Sequence, residues 1–252
     1  MKIDKIKKSG NKYKILLDDG SEIKTYDDII INHGLLYNKT IDSETLNKIN
    51  NDNNYYEAYY KVVNYITKKL RSEKEVVAYL NNYNVNIKDQ EKIIKKLKEI
   101  NLINDFNFTQ AYIADRLNLS NDGPDKIRNT LDNHDIDPQI IAEQLAKIDQ
   151  KTIDDRILKI ITKKSKNTKY CGYKLKTKLL NDLINMGYDK SDIIRLLGEI
   201  DTTKPITEEY KKIYQRLSKK YEGKELIYKI KKKLYSEGFS TEEINSAVEE
   251  SC

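Results

Sequence analysis

The segment Leu183-Ile184-Asn185-Met186-Gly187-Tyr188-Asp189 is one of four similar segments that decide the fold of this chain. Each segment begins with a leucine, has a large apolar residue five positions later, and ends with Asn, Asp or Ser. The four are LNNYNVN at 80–86, LDNHDID at 131–137, LINMGYD at 183–189 and LYSEGFS at 234–240. Their leucines are 51, 52 and 51 residues apart. A recurring period of this length is typical of a repeat protein.

The last residue of each segment predicts a helix start, because Asn, Asp and Ser side chains accept hydrogen bonds from the free N–H groups of a first helical turn. These residues are Asn86, Asp137, Asp189 and Ser240. A second set of helix starts is predicted upstream, at Ser72, Gly123, Gly172 and Gly223. Glutamates three residues after Ser72 and Ser240 complete capping boxes, and prolines follow Gly123 and Asp137 at the first helical position.

These starts predict a mainly α fold, an elongated tandem array of four three-helix repeats with a small N-terminal β-hairpin unit. The repeats are placed at 55–103, 104–151, 152–203 and 204–252, and their first helices at 57–70, 106–118, 153–164 and 207–219. Apolar residues recur at the helical period within each repeat. Stacked repeats bury faces that no single repeat buries alone.

Residues 1–54 differ from the rest of the chain. The β-prone stretches at 13–17 and 23–26 flank Asp18-Asp19-Gly20-Ser21, and Asp-Gly is a strong hairpin signal. A short helix is predicted around 43–49, followed by a linker at the asparagine-rich tract 50–54.

Basic residues are concentrated in the last two-fifths of the chain. Residues 1–150 hold 23 Lys+Arg and 24 Asp+Glu, a net of -1, whereas residues 151–252 hold 23 and 16, a net of +7. Within that part, 151–180 and 211–233 each contain 10 basic and 2 acidic residues. The recurrence predicts a partner that is a polyanion or an acidic protein surface. A solvated lysine face without a partner explains the same runs.

Catalytic and metal-binding chemistry is not predicted. His33 and His134 are far apart without a nearby Ser or Cys pattern, and Cys171 has no base in its local sequence. Two His and two Cys without ligand spacing do not indicate a metal site, and no glycine-rich phosphate loop occurs. The third helices of repeats two to four begin with acidic or neutral residues, which disfavours helix-turn-helix reading of DNA. We expect a non-enzymatic protein without a cofactor.

The chain is expected to be soluble and cytoplasmic. Its charged N-terminus is unlike a signal peptide, and no apolar run approaches the length of a membrane span. Two cysteines, Cys171 and Cys252, cannot form a disulfide framework, and low cysteine use suits a reducing compartment.

Three consecutive stretches resemble the RecX family of regulatory proteins. Residues 65–80 (YITKKLRSEKEVVAYL) are similar to the family's first-repeat pattern, in which Arg-Ser precedes a Glu-containing helix. Residues 102–112 (LINDFNFTQAY) and 123–131 (GPDKIRNTL) are similar to the two family segments that follow. With the weaker repeats after them, the resemblance covers roughly residues 55–252. Asn104, Thr109 and the pair at 134–135 depart from the usual pattern at caps and packing positions.

The resemblance implies a non-enzymatic regulator that enters the helical groove of a RecA filament on DNA and contacts successive protomers. We expect the protein itself to be a monomer. It further implies that the protein restrains filament growth, ATP hydrolysis and strand exchange. A DNA-binding protein that holds single strands through its basic C-terminal half is the alternative, and an unrelated helical scaffold is a third hypothesis.

Candidate binding residues are the arginines of the family-like segments and the lysines of the two basic runs. They are Arg71, Arg116, Arg128, Lys163, Lys164, Lys166, Lys169, Lys174, Lys176, Lys178, Lys219, Lys220, Lys224, Lys231 and Lys232. Interleaved tyrosines at 170, 173, 221 and 228 are able to stack on bases or on a partner. For each arginine, an intramolecular cap or ion pair is an equally good explanation.

Overall fold

The structure is a computed structural model that describes residues 1–10, 12–166 and 168–250. The chain divides into two compact units, Met1–Phe108 and a second unit that begins at Thr109. Cys252 lies outside the described residues. In the described part, no helix is long and apolar enough to cross a membrane.

The first unit begins with a small antiparallel sheet. Its strands are β1 (Ile3–Ser9), β2 (Lys12–Leu17) and β3 (Glu22–Thr25), in the order β1-β2-β3, followed by the helix α1 (Asp27–Asn32). The predicted hairpin is present as β2 and β3. Strand β1 was not predicted, because it has only two apolar residues among seven. In the structure, a register shift between Ile3 and Lys5 interrupts its pairing with β2.

Twelve further helices follow in the described chain, in four groups of three. The first group is α2 (Ser43–Ile66), α3 (Glu73–Asn82) and α4 (Ile87–Glu99), and the second is α5 (Asp105–Leu119), α6 (Pro124–Asp132) and α7 (Pro138–Leu145). The third is α8 (Gln150–Lys166), α9 (Gly172–Asn185) and α10 (Lys190–Gly198), and the fourth is α11 (Ile206–Leu217), α12 (Gly223–Glu237) and α13 (Thr241–Glu249). The mainly helical fold with a small N-terminal sheet is therefore confirmed.

The predicted caps explain where these helices begin. Asn86, Asp137, Asp189 and Ser240 each accept a hydrogen bond from a first-turn N–H, and both capping boxes are present. Two predicted starts are displaced by one residue, since Gly172 and Gly223 are the first helical residues rather than the caps. Their φ angles of +50° and +55° lie in the region that glycine tolerates best.

The linker predicted at 50–54 is wrong. Helix α2 runs unbroken through the asparagine tract, from Ser43 to Ile66. Ile49 and Tyr56, on either side of the tract, are both buried in the core of the first unit. Burial of one face of the helix outweighs the weak helix propensity of asparagine.

The anchor leucines of the four repeats lie in the cores. Leu80, Leu131, Leu183 and Leu234 are at most 1% exposed. In the first unit, the sheet, α1 and the helices α2, α3 and α4 share one core. In the second unit, the third and fourth groups of helices have clusters of their own, and Cys171 belongs to the last of these.

Candidate functional site

The histidines and the described cysteine lie in separate environments. His33 Nε2 is 2.7 Å from Asp52 Oδ2 in the first unit, whereas the ring of His134 lies 6.2 Å from the ring of Tyr112 in the second. Burial raises the pKa of the Cys171 thiol to about 11, so the thiol stays protonated at neutral pH. No group of three His, Cys, Asp or Glu side chains arranged to hold a metal ion occurs among the described residues.

The Arg71 side chain is bound by neighbouring side chains of the first unit. Its guanidinium donates to Glu75 Oε1 at 2.9 Å and lies 4.1 Å from the centre of the Tyr65 ring. Tyr65 lies in the last turn of α2 and Glu75 in the first turn of α3, and the Arg71 side chain between them is 21% exposed. The structure thus gives Arg71 an intramolecular role.

The two other candidate arginines lie in the second unit. Arg116 Nε donates to the Tyr112 hydroxyl at 2.9 Å, and its guanidinium is 3.7 Å from Asp122. Arg128 is 3.7 Å from Asp125 and half exposed. These are local contacts at the end of α5 and the start of α6, and exposed ion pairs of this kind are weak.

Lysines of the third repeat converge on a groove between α8 and α9. The groove has a volume of about 610 Å³ and is lined by Lys159, Lys163, Lys164 and Lys178 together with apolar side chains of both helices. One acidic side chain, Asp182, also lines it, and its carboxylate lies 2.5 Å from Lys164 Nζ. Four ammonium groups and one carboxylate give this groove a net positive charge.

Two aromatic rings lie beside this basic groove. Tyr170 is flanked by the ammonium groups of Lys169 and Lys178, at 5.4 and 5.1 Å from the ring centre. Tyr173 is 80% exposed and, with Lys174 and Lys178, lines an adjoining groove of about 430 Å³. Proteins that bind single-stranded nucleic acids combine cationic groups, which contact phosphates, with exposed aromatic rings, on which bases stack.

The remaining lysines of the first basic run do not join the groove. Lys166 is exposed at the end of α8. Lys176 is half-buried, and it lies on a different face of α9 from Lys174 and Lys178 because it is two residues from each. Lys174 also lines a cavity of about 450 Å³ between the third and fourth repeats, beside Cys171 and Phe239.

The second basic run is more dispersed. Lys219 and Lys220 follow α11, Lys224 lies in the first turn of α12, and all three are exposed. Lys231 Nζ donates to Asn245 Oδ1 at 2.8 Å, while Lys232 is exposed. The recurrence of charge in the sequence therefore does not produce a second copy of the α8–α9 groove from these five lysines.

Two important residues were missed at the sequence level. Lys159 lies one helical turn before Lys163, and this spacing of four residues was a signal that it shares the groove. Arg156 donates to the carbonyl oxygens of Leu117, Ser120 and Asp122, so it fixes the end of α5 and the residues that follow it against α8. No sequence pattern indicated that role, because its partners are more than thirty positions away.

Comparison with known proteins identifies the family. A Streptococcus agalactiae protein named Regulatory protein RecX is 32% identical over 257 residues, which cover 99% of this chain and 99% of the relative. This chain belongs to the RecX family. A Lactococcus lactis relative of the same name is 30% identical over 98% of the chain, and one from Oceanobacillus iheyensis is 26% identical over 97%.

Solved RecX structures share the fold. A crystal structure of regulatory protein RecX covers 78% of this chain and 98% of its own, with a TM-score of 0.66 and 22% identity. That of RecX from Lactobacillus salivarius covers 58% of this chain with a TM-score of 0.55 and 25% identity. A scan against protein-family models found no match.

The stretches that resemble RecX proteins form helix caps and junctions in this structure. Ser72 and Glu75 make the capping box of α3. Asp105, at the start of α5, accepts a hydrogen bond from the backbone N–H of Glu73 at 3.1 Å and so joins two helix starts. Gly123 is the N-cap of α6. These RecX-like residues therefore maintain the repeat geometry.

Proposed function

We propose that this protein regulates the RecA recombinase by binding the RecA filament on DNA, where it restrains filament growth, ATP hydrolysis and strand exchange. The observation that carries the proposal is the 32% identity to a Regulatory protein RecX over 99% of both chains. The protein acts by binding and not by catalysis. It works in the cytoplasm, where the filament forms, and as a monomer.

The repeat organisation supports this mode of action. A tandem array offers several similar surfaces along one chain, and each surface contacts one protomer of a filament. Weak contacts on a common chain add to a high overall affinity because each additional contact is intramolecular. The lysines around the α8–α9 groove supply positive charge for the filament or its DNA.

Measurement of RecA activity tests the proposal directly. Purified protein is added to RecA, single-stranded DNA and ATP, and both the rate of ATP hydrolysis and the length of the filaments are followed. We expect hydrolysis to slow and filaments to shorten as the protein is added. Unchanged hydrolysis and filament length at saturating protein would refute this function.

Direct binding of single-stranded DNA is the second candidate function. It is favoured by the exposed ring of Tyr173 beside Lys174 and Lys178. Salt separates the two functions, because the affinity of a protein that neutralises phosphates falls steeply with salt concentration. Binding to single strands without RecA, with a steep salt dependence, would favour this second function.

A further inference from the structure

The N-terminal sheet has an inner and an outer face. On β2, Ile15 and Leu17 are buried in the core of the first unit. Since successive side chains of a strand point to opposite faces, Lys14 and Leu16 lie on the outer face. Strands β1 and β3 flank β2, so their residues opposite Lys14 and Leu16 lie on the same face.

Three lysines form a row across this outer face. Lys7 of β1 is paired with Lys14 of β2, and Lys14 is paired with Lys24 of β3. Lys5 is paired with Leu16 and adds a fourth ammonium group on the same face. The face also holds one carboxylate, Glu22, which lies 3.4 Å from Lys14 Nζ. Lysines outnumber carboxylates on this face, so its net charge is positive at neutral pH.

The lysine row does not serve the stability of the sheet. Like charges directly opposite each other on neighbouring strands are destabilising. Lysines on edge strands protect a sheet from pairing with other chains, which accounts for Lys7 and Lys24. It does not account for Lys14, which lies on the central strand. The ion pair between Lys14 and Glu22 is exposed and contributes little.

We propose that this outer face binds the phosphate backbone of duplex DNA. Strands about 4.8 Å apart spread the three paired lysines over about 10 Å across the sheet, which fits a row of phosphates rather than a single small anion. The outward residues of the three strands include no aromatic ring, since Tyr13 packs inward on the core. Single-strand binding relies on such rings, so the face is suited to a duplex.

The proposed contact between the sheet and duplex DNA does not depend on the base sequence of the DNA. It is a binding activity in addition to the proposed regulation of RecA. Lysines that neutralise phosphates position a protein on DNA without reading the bases. The surface lies in the first unit, whereas the α8–α9 groove lies in the second. It gives the protein a way to hold duplex DNA that does not require the filament.

Fluorescence anisotropy with the full chain and a short labelled duplex, without RecA, tests this proposal. The variant combines Lys7→Gln, Lys14→Gln and Lys24→Gln. The slope of log affinity against log salt is negative, and loss of three phosphate contacts reduces its magnitude by about 2.7. The same positions changed to arginine keep the charge, so that variant retains the slope of the unaltered protein. The melting temperature of the glutamine variant stays the same or rises, because the repulsion is removed.

A matched control variant removes the same number of positive charges elsewhere in the first unit. It combines Lys68→Gln, Lys88→Gln and Lys95→Gln, which are exposed lysines outside the sheet, and it is expected to keep the slope. An unchanged slope in the sheet variant, or an equal decrease in both variants, overturns the proposal. If the sheet variant keeps its duplex affinity but no longer inhibits RecA, the face binds a protein and the proposal is equally overturned.

Discussion

The backbone at Gly123 lies directly against the backbone at Gly187. The N–H of Gly123 donates to the carbonyl oxygen of Met186 at 2.7 Å, and the N–H of Asp125 donates to that of Gly187 at 3.0 Å. A Cβ atom at Gly123 would lie 2.4 Å from the Gly187 oxygen. The start of α6 in the second repeat thus docks on the turn between α9 and α10 in the third.

The same relationship recurs between the third and fourth repeats. The N–H of Cys171 donates to the carbonyl oxygen of Glu237 at 2.9 Å, and a Cβ atom at Gly238 would lie 2.2 Å from the Cys171 oxygen. Each junction joins the start of a middle helix to the turn that ends the middle helix of the next repeat. Glycine is required because a side chain would separate the two backbones.

We expect Gly123→Ala to destabilise the second unit. The added methyl group meets backbone atoms that cannot move without breaking the junction, and overpacking of this kind costs about 1–3 kcal/mol. Chemical denaturation followed by circular dichroism measures the change. The matched control is Gly198→Ala at the last residue of α10, whose methyl group meets no atom within 4 Å, and which should leave stability unchanged or slightly raised. Equal stability of the two variants would contradict the docking role of Gly123.

The anchor leucines make a second prediction. Leu131 is 0% exposed, so Leu131→Ala removes buried methyl groups and should lower the free energy of unfolding by about 2–5 kcal/mol. Leu119→Ala is the control, because Leu119 is 83% exposed and its truncation should change stability by no more than about 0.5 kcal/mol. A denaturation midpoint that does not move for Leu131→Ala would show that the repeat alignment is incorrect.

The α8–α9 groove makes a third prediction, about function. Combined charge reversal by Lys163→Glu, Lys174→Glu and Lys178→Glu should abolish inhibition of RecA ATP hydrolysis, because these lysines line the two adjoining grooves. Melting should stay intact, since exposed lysines contribute little to folding.

A control variant with the same change in net charge shows whether the effect comes from the groove lysines or from the net charge of the protein. It combines Lys151→Glu, Lys190→Glu and Lys211→Glu, which are exposed lysines of the second unit outside both grooves. This control should inhibit RecA as the unaltered protein does. Full inhibition by the groove variant would show that these lysines do not carry the activity.

Cys171 provides a fourth prediction, based on its pKa. Burial raises the pKa of the thiol to about 11, and only the thiolate reacts with iodoacetamide. In a Cys252→Ser background, the native protein should therefore resist alkylation at pH 8, while the same protein in denaturant reacts readily. Mass spectrometry measures the labelled fraction. Rapid labelling of the native protein at pH 8 would mean that the junction between the third and fourth repeats opens freely.

Local patterns in the sequence were sufficient for much of the helical architecture. Asn86, Asp137, Asp189 and Ser240 were recognised as helix starts because a cap depends on hydrogen bonds to residues two or three positions away. The anchor leucines were recognised because their spacing repeats. The hairpin of β2 and β3 was predicted from Asp19-Gly20 for the same reason, since the turn is a local feature.

Long-range packing determined the rest. The asparagine tract at 50–54 is helical because Ile49 and Tyr56 are buried in a core that distant residues supply. The charge run identified lysines at 163 and 178, but only the packing of α8 on α9 brings them into one groove with Lys159.

The sequence by itself determined the helix starts, the repeat period and the family. Each of these features is indicated by residues that are close together in the sequence or that recur at a fixed interval. Only the tertiary structure decided the contact of Gly123 with Gly187, the row of Lys7, Lys14 and Lys24, and the carbonyl partners of Arg156. These depend on strand register and helix docking, which are set by the burial of side chains far apart in the chain.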